Sequence, residues 1–535
     1  MFDKKYLKII VLVCVILNIT ASGIVIIIPS ENIQDANSST IIFNSEENIQ
    51  DIINTANDGN SSNEFPKAEK YFPFGVNIDW GKIQYLASRQ GLGKIEWIET
   101  ALDDMQAHHI NTLHFNNLFY DQDLELFVSL AEPRGIRLYP QAGGLPYFFP
   151  TRLTKEERDD AFNTLVKPAY LKLINRYRDS EGILVWGICD ETPPSLAPEL
   201  NQWTDYIDGL DPNHPAVVCY NRVDSVEAAR DIIKPRIIAY DIYPFFADPN
   251  YGPITPIGSL NYYEKTIYNS YKAAREIGAP IWVIAQGMEL YSHYFNTLEW
   301  RYPTPNEIHL EAWAAIVNGA KGILYWTYTS TPYDYSQGEI IYGLVDRDGN
   351  PTEQWDTIND LWYELEPLTS IIVDLDESDS SIISNKGEKI RARTFQRSTG
   401  EEKYVIVVNT DVENNKPTNL ELTTTENIYD LSTLKQVTSD ELFNHVLLPG
   451  RGNIYLVGNQ SDFDEYKDNY VEYNVNGNDD DHPDSINIID LFINFRFLLL
   501  VIAGIIPLVI IVINRRFSSK RHNRNKRHKQ YIYKY

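Results

Sequence analysis

Eight short apolar runs, separated by amphipathic stretches of helical length, constrain this 535-residue chain more than any other feature. In chain order the runs are "FPFGVNI" (72–78), "INTLHF" (110–115), "GIRLYPQ" (135–141), "ILVWGIC" (183–189), "PAVVCY" (215–220), "RIIAYDIY" (236–243), "PIWVIAQ" (280–286) and "KGILYWTY" (321–328). Runs of this length, rich in β-branched and aromatic residues, predict strands, and intervening stretches such as "PNEIHLEAWAAIVNGA" predict helices. The alternation predicts an α/β fold, a (β/α)8 TIM barrel over residues 66–370.

An open, doubly wound sheet is the alternative to the barrel, because its strands and helices alternate in the same way. No glycine-rich phosphate loop follows any of the runs, which argues against it.

After residue 370 the sequence pattern changes. The helical stretches disappear, and segments such as "KYVIVVNT" and "GNIYLVG" predict a small antiparallel β-sandwich domain over 371–458. We expect this domain to pack against the barrel. Carbohydrate binding is the alternative, although no row of aromatic residues stands out in its strands.

Both ends of the chain carry apolar segments beside basic residues. Residues 1–28 hold three Lys before a run of Ile, Val and Leu, which is typical of a signal peptide or an uncleaved N-terminal anchor. Residues 490–514 contain "FLLLVIAGIIPLVIIVIN", long enough to cross about 30 Å of hydrocarbon as a transmembrane helix. The tail 515–535 has nine Lys or Arg and no acid. It predicts a cytoplasmic tail on a cell-membrane protein whose body lies outside the cell.

Two polar segments flank the predicted domains. Residues 29–65 are rich in Asn, Ser and Asp and predict a disordered linker, and residues 459–489 predict an acidic linker. Asn-X-Ser sequons in both segments indicate a glycoprotein. The formal net charge of −27 argues against nucleic acid as a partner. The sequence leaves the oligomeric state open.

Cysteine and histidine patterns argue against a metal site or another cofactor. Outside the apolar leader only Cys189 and Cys219 are present, so there is no disulfide framework. We expect two buried thiols, with a bridge as the alternative if the two residues lie on neighbouring strands. Neither a paired-cysteine spacing nor an HExxH run occurs.

Polar and aromatic residues gather at the C-terminal ends of the predicted strands, where the active sites of (β/α)8 barrels lie. Single residues there have structural explanations, since Asp241 can cap a turn and Trp326 can pack. The coincidence over eight strand ends predicts a pocket, and an aromatic content of 12% suits a carbohydrate ligand because flat rings bind sugar faces. The predicted substrate-binding residues are Asp79, His114, Asn116, Gln141, Asp190, Asp241, Tyr243, Gln286 and Trp326.

The segment "ILVWGICDETPP" (183–194) favours catalysis, because an apolar strand delivers two adjacent acids, Asp190 and Glu191, to its tip. Glycoside hydrolysis needs one protonated carboxyl group to assist the leaving oxygen and an ionised one to attack the sugar or activate water. The charge of Asp190 and the apolar strand both favour proton donation by Glu191. A capping pair at a helix N-terminus is the structural alternative.

Four segments resemble a known family. They are "WGICDETP", "YDIYPF", "RYPTPNEIHLEAWAAIVNGAKGILYWTY" and "GLVDRDGNPTEQWDTINDLWYEL". In this order they are similar to segments of the large clan of (β/α)8 glycoside hydrolases that includes many β-galactosidases, cellulases and mannanases. The resemblance covers about residues 70–370, and no single motif in it is specific. It implies hydrolysis of an oligo- or polysaccharide with Glu191 in the acid/base position.

The seventh strand departs from that family. Its members usually end this strand with a nucleophilic Glu, whereas "PIWVIAQGMEL" places Gln286 there and Glu289 three residues later. An amide cannot form a glycosyl ester. Either Glu289 reaches back as the second catalytic residue, or Asp241 or Asp79 is the base of an inverting enzyme, or the barrel is a non-catalytic carbohydrate-binding or envelope-structural protein. A transglycosidase would use the same two groups as a hydrolase.

Overall fold

The structure is a computed structural model. It describes residues 67–118, 121–142, 154–247, 260–294, 296–332, 338–398 and 400–477. The predicted signal or anchor, the linker at 29–65, the transmembrane segment at 490–514 and the basic tail lie outside these residues. Of the helices within the described ranges, none has both the length and the apolar character needed to cross a membrane.

Eight parallel strands close into a barrel. They are β1 (Phe74–Asp79), β2 (Thr112–Leu118), β3 (Arg137–Ala142), β4 (Trp186–Cys189), β5 (Ala216–Tyr220), β6 (Ile238–Asp241), β7 (Ile281–Gln286) and β10 (Ala320–Trp326). Each strand pairs with the next one in chain order, and β10 closes the ring by pairing with both β7 and β1. Every strand coincides with one of the eight apolar runs, so the predicted barrel is confirmed.

Helices separate most of the barrel strands. They are α1 (Trp80–Gln90), α2 (Lys94–Ala107), α3 (Asp121–Ala131), α4 (Lys155–Ala161), α5 (Lys167–Tyr177), α6 (Ala197–Leu210), α7 (Val223–Ala228), α8 (Leu260–Arg275), α9 (Pro305–Val317), α10 (Glu353–Leu365) and α11 (Thr369–Ile372). Short π-helical segments lie at Phe162–Val166 and Ala229–Ile233, and 3-10 segments at Ala68–Lys70, Glu132–Arg134, Pro194–Leu196 and Glu366–Leu368. Capping fixes several helix starts; Thr304, for example, accepts a hydrogen bond from the backbone of Glu307 at the start of α9.

A small antiparallel sheet combines two strands that follow β7 with one strand that follows β10. Its strands are β8 (Glu289–Ser292), β9 (Thr297–Trp300) and β11 (Glu339–Tyr342), in the order β11-β8-β9. Each strand has only four residues with mixed burial. The sequence analysis did not predict this sheet, because such short strands show no clear alternation of apolar and polar residues.

The barrel interior is filled by large side chains, so the barrel is a packed core. Tyr139, Trp282 and Leu324 belong to one buried cluster. Gly187 of β4 makes this packing possible, because a Cβ atom at that position would lie 2.8 Å from the Tyr139 ring. Only the C-terminal mouth of the barrel is therefore left for chemistry.

From Leu375 onward the chain forms an antiparallel β domain. Its strands are β12 (Leu375–Glu377), β13 (Ile383–Asn385), β14 (Ile390–Arg397), β15 (Lys403–Asn409), β16 (Lys416–Pro417), β17 (Glu421–Leu422), β18 (Asn427–Asp430), β19 (Lys435–Val437), β20 (Val446–Leu447) and β21 (Gly452–Gly458). A six-stranded sheet has the order β12-β14-β15-β21-β18-β19, and β13-β17 and β16-β20 are two-stranded sheets. Leu442 of the short helix α12 (Ser439–Asn444) and Leu447 share a core with Val405 and Tyr455. The predicted antiparallel sheets are confirmed, with a second layer made of these short pieces.

The segment after residue 458 differs from the predicted acidic linker. Residues Gln460–Gly477 form a helix, α13. Phe463 stacks on Tyr429 with ring centroids 4.3 Å apart, and the Tyr466 hydroxyl donates to Pro367 O at 2.9 Å. Two buried aromatic side chains one turn apart therefore dock the start of α13 on the β domain, through Phe463, and on the segment Glu366–Leu368, through Tyr466, despite its acidic composition.

Polar contacts hold the β domain against the barrel helices. The Arg391 guanidinium pairs with Glu264 of α8 at 3.0 Å, and Arg393 donates to Asn318 Oδ1 at 3.1 Å. The Asn306 side chain of α9 donates to Val412 O at 2.9 Å. The β domain thus packs against α8 and α9, as expected from the sequence, and not over the barrel mouth.

Candidate active site

The chain leaves β4 through a constrained turn that presents Glu191. All four residues of β4 are buried, and the Trp186 indole donates to Asp211 Oδ2 at 2.8 Å. Glu191 has a φ of +48°, which is uncommon for a residue other than glycine, and its backbone N–H donates to Cys219 O at 3.0 Å. The turn leaves the Glu191 side chain exposed and that of Asp190 half-buried. Because α6 begins only at Ala197, the two acids are not a helix cap.

Asp241 brings a third carboxyl group to the same place. It is the last residue of β6 and is 6% exposed, and its carboxyl group lies close enough to that of Glu191 for the two to affect each other's protonation. Carboxylate oxygens of Asp190 and Asp241 and the Cys219 sulfur all lie within 4.8 Å of one another. We call Asp190, Glu191 and Asp241 the carboxyl cluster. It joins the tips of β4 and β6 across β5.

The carboxyl cluster retains protons at neutral pH. Burial, followed by the negative charge of Glu191, raises the pKa of Asp190 to about 7. Burial also raises the pKa of Asp241 well above its usual range, and the charges of Glu191 and Asp190 add to that effect. Carboxyl groups this close ionise one after another because like charges repel. The cluster can therefore supply and take up protons near pH 7, which is what general acid–base chemistry requires.

We expect the Asp190→Asn variant to lose part of the pH dependence of folding stability. The pKa of Asp190 is raised from 3.8 to about 7, so between these pH values the folded state binds its proton more tightly than the unfolded chain does. Stability contributed by this proton is fully present at low pH and is lost as pH rises towards 7, by at most about 1.4 kcal/mol per pH unit. Denaturant unfolding of both proteins from pH 4 to 8 measures this, and parallel stability curves would contradict it.

Aromatic side chains form one wall of the mouth. The Tyr243 and Trp326 rings stack with centroids 5.7 Å apart, and Trp300 approaches Tyr243 edge-on at 6.1 Å. Phe246 packs on Trp300 at 5.1 Å. The adjoining pocket has a volume of about 650 Å³, within the usual range for small-molecule sites. Its lining includes Glu191, Asn221, Asp241, Tyr243, Phe246 and Trp300.

Gln286 is a structural residue of the seventh strand. Its side chain is fully buried. The Nε2 group donates to Arg301 O at 2.7 Å and also to Met288 O and Phe245 O at 3.3 and 3.4 Å. Oε1 accepts from Phe245 N at 3.0 Å. The amide thus joins the loops that follow β6, β7 and β9, and it does not line the pocket next to Glu191.

Glu289 lies outside the carboxyl cluster. It is the first residue of β8 and pairs with Tyr342 of β11. Burial raises its pKa, and a backbone hydrogen bond involving Tyr302 opposes that effect. Glu289, the predicted second catalytic residue, is not among the described residues that line the pocket with Glu191 and Asp241.

Four other predicted site residues lie nearer to β1, β2 and β3. Asp79 accepts from Gly81 N at 2.9 Å, caps α1 and lies 3.6 Å from the Lys82 ammonium. The buried His114 ring stacks on Tyr139 at 4.2 Å, and burial lowers its pKa to about 4, so it is neutral at pH 7. Gln141 is buried and lies next to Gly187. Asn116 belongs to β2, but its side chain is outside the described part of the structure.

Several residues of the pocket were missed by the sequence analysis. Trp300 and Phe246 come from β9 and from the segment after β6, and Tyr262 lines the pocket from α8. An isolated aromatic residue in a short inserted strand carries no sequence signal for a site. Cys219 was predicted only as a buried thiol, yet it hydrogen-bonds with Asp190 inside the carboxyl cluster.

Cys189 and Cys219 are both buried and free, so the expected pair of thiols is present and no bridge joins them. In the described residues, one group of side chains has metal-ligand spacing: Asp190, Cys219 and Asp241. Two of these residues, Asp190 and Asp241, belong to the carboxyl cluster, and Cys219 lies beside them.

Strand order and site together define a (β/α)8-barrel protein with an acidic pocket at its C-terminal mouth. No family model matches the chain, and no curated protein matches it. Solved structures of glycoside hydrolases are similar to it. One, a family 5 enzyme from Bacteroides vulgatus ATCC 8482, has 13% identity and a TM-score of 0.49, covering 73% of this chain and 91% of that one.

Two further structures show the range of this similarity. A GH2 β-galacturonidase from Eisenbergiella tayi bound to galacturonate has 17% identity and a TM-score of 0.36, with 50% of this chain and 46% of that one covered. A family 5 mannosidase from Rhizomucor miehei has 16% identity and a TM-score of 0.36, with 54% and 92% covered. We draw no inference about activity or about individual residues from similarity at this level.

Proposed function

We propose that this protein hydrolyses glycosidic bonds, with Glu191 as the proton donor. The observation that carries the proposal is that the carboxyl groups of Glu191 and Asp241 line one pocket together with the aromatic rings of Tyr243 and Trp300. Glu191 is the exposed member of the carboxyl cluster, so a bound sugar can reach it. The aromatic wall offers flat apolar surfaces for the faces of sugar rings.

Asp241 supports Glu191 in this proposal. When Glu191 gives its proton to the leaving oxygen, it becomes an anion beside two other carboxyl groups. The raised pKa values of Asp190 and Asp241 allow these groups to carry protons at that moment, so the cluster avoids three negative charges. Glu191 then recovers its proton from the water that completes the hydrolysis.

Asp241 lies beside Glu191 rather than across the sugar from it. The two carboxyl groups are close enough for a direct side-chain interaction. Retaining glycosidases separate their two carboxyl groups by about 5–5.5 Å, and inverting enzymes by about 6.5–9.5 Å. The pair therefore positions one proton donor rather than supplying both catalytic groups.

A carbohydrate-binding protein without activity is the second candidate. The observation that favours it is Gln286, whose amide occupies the strand end where the related clan usually has its nucleophile and is fully used in backbone hydrogen bonds. Such a protein would bind sugars against the aromatic wall without hydrolysing them. Binding and hydrolysis must therefore be measured separately.

The test uses the purified full-length chain with a panel of α- and β-linked aryl glycosides, including 2-acetamido sugars. We expect turnover of at least one of them. Glu289→Gln should leave that turnover within about twofold, because its carboxyl group lies outside the carboxyl cluster. A large loss of turnover in this variant would show that Glu289 takes part in catalysis. Binding of sugars without any turnover would favour the second candidate.

We also propose that the chain is anchored in the cell membrane with its barrel outside. The uncharged segment 497–514 and the nine basic residues after it support this orientation. Protease added to intact cells should remove the barrel and leave the basic tail protected. A barrel that is degraded only after lysis would contradict the proposal.

A further inference from the structure

Hydrolysis in the Glu191 pocket, on which this inference rests, also needs a nucleophile on the face of the sugar away from the leaving group. Gln286 is fully buried. Neither Glu289 nor Asp79 is among the described residues that line the pocket. Asp224, another acid of the pocket lining, is ion-paired with Arg222 at 2.6 Å. Within the described part of the chain, the protein thus places no unengaged carboxylate for this role.

We propose that the substrate supplies the nucleophile, as the carbonyl oxygen of a 2-acetamido group. The substrate class is then a glycoside of a 2-acetamido-2-deoxy sugar with the acetamido and leaving groups trans, such as a β-linked N-acetylhexosamine. Substrate assistance of this kind replaces the second enzyme carboxylate. It requires a proton donor, an acceptor for the acetamido N–H and a pocket for the acetyl methyl group.

Asp241 has the properties of the N–H acceptor. It lines the pocket and is 6% exposed, and its Oδ1 atom has no hydrogen-bond partner among the described residues. A buried carboxylate oxygen without a partner is costly unless a ligand donates to it. Accepting the acetamido N–H would satisfy this atom and increase the electron density on the acetyl oxygen.

Tyr243 and the aromatic wall fit the rest of the acetamido group. The Tyr243 hydroxyl lies 3.4 Å from Asp241 Oδ2, which places it next to the bound amide, where it can donate to the acetyl oxygen. Trp300 and Trp326 pack around the Tyr243 ring and offer apolar surface for the acetyl methyl group. A 2-hydroxyl group could donate to Asp241 Oδ1, but it would leave the apolar surface unused.

The chemical steps balance without a co-reactant. The acetyl oxygen forms a bond to the anomeric carbon while the bond from that carbon to the leaving oxygen breaks, and the leaving oxygen takes the proton of Glu191. The resulting cyclic oxazolinium ion carries one positive charge, which is balanced by the negative charge that Glu191 acquires when it gives up its proton. Water then attacks the anomeric carbon and gives its proton to Glu191, the bond to the acetyl oxygen breaks, and the sugar is released with retained configuration.

The experiment compares matched pairs of 4-nitrophenyl glycosides on the full-length chain: β-N-acetylglucosaminide with β-glucoside, and β-N-acetylgalactosaminide with β-galactoside. We expect the acetamido member of one pair to react at least about 100-fold faster, because the nucleophile is held within the substrate. Stepwise fluorination of the acetyl methyl group should lower the rate in proportion to the loss of oxygen basicity. Asp241→Asn should reduce turnover of the acetamido substrate, and Glu289→Gln should not.

The outcomes separate this inference from the proposed function. Turnover of 2-hydroxy glycosides at rates equal to those of the acetamido pair, or rates insensitive to fluorination, would overturn the inference and leave the hydrolase proposal standing. Absence of turnover for every glycoside would contradict both the inference and the hydrolase proposal. As a second readout, the thiazoline analogue of N-acetylglucosamine, which mimics the oxazolinium ion, should raise the thermal unfolding midpoint of the wild-type chain. No shift with this analogue would contradict the acetamido pocket.

Discussion

Glu191→Gln is expected to lower turnover of a 4-nitrophenyl glycoside substrate by about 10²- to 10⁴-fold, the usual contribution of a general acid. The amide that replaces the carboxyl group cannot protonate the leaving oxygen, and it cannot accept a proton from water in the second step. The loss should appear mainly in kcat, because Glu191 stabilises the transition state and contributes little to binding of the substrate. Steady-state kinetics of the full-length protein measure it.

The control for this variant is the leaving group. A 2,4-dinitrophenyl glycoside needs little protonation, so its glycosidic bond should break in Glu191→Gln with a much smaller loss than the 4-nitrophenyl substrate shows. Thermal unfolding should show an intact fold, because Glu191 is exposed and its backbone hydrogen bond to Cys219 does not involve the side chain. Wild-type turnover in this variant would exclude Glu191 as the proton donor. So would equal losses with both leaving groups in kcat/KM, which reports cleavage of the glycosidic bond and not the later attack of water.

The barrel was predictable because each strand carries its own local signal. "ILVWGIC" contains no charged residue because a parallel strand is buried on both faces, and all four residues of β4 are buried. The C-terminal ends of parallel barrel strands meet at one end of the barrel, so the sequence also predicted that Asp190, Glu191 and Asp241 lie at that end. Their proximity follows from strand order, because β4 and β6 are separated only by β5.

The side-chain partners at the seventh strand were not predictable from the sequence. The Gln286 amide forms hydrogen bonds with the backbone of Phe245 and Arg301, which lie 41 and 15 residues away in the chain. Glu289 begins a four-residue strand whose partner, β11, lies about 50 residues further on in the sequence. No local pattern encodes such long-range pairings, so the sequence left three alternatives open for the second carboxylate.

Gln286→Glu is expected to destabilise the fold by at least about 3 kcal/mol and to add no hydrolytic activity. The amide Nε2 donates to the carbonyl oxygens of Arg301, Met288 and Phe245, and a carboxylate would place an oxygen against all three. A buried charge without a partner is costly, and the neighbouring Glu311 side chain, which accepts from the Gln286 backbone N–H at 2.8 Å, supplies no positive charge to offset it. Denaturant unfolding of the full-length chain at pH 7 measures the loss.

Two comparisons make this prediction specific to the buried amide. Gln286→Leu removes the same hydrogen bonds without adding charge, so it should cost less, about 1–3 kcal/mol. The stability of Gln286→Glu should partly recover as pH falls, because a protonated carboxyl group can donate to one of the carbonyl oxygens, whereas Gln286→Leu should show no such recovery. If Gln286→Glu instead kept wild-type stability and increased turnover, residue 286 would face the substrate, and the seventh strand would carry the nucleophile position after all.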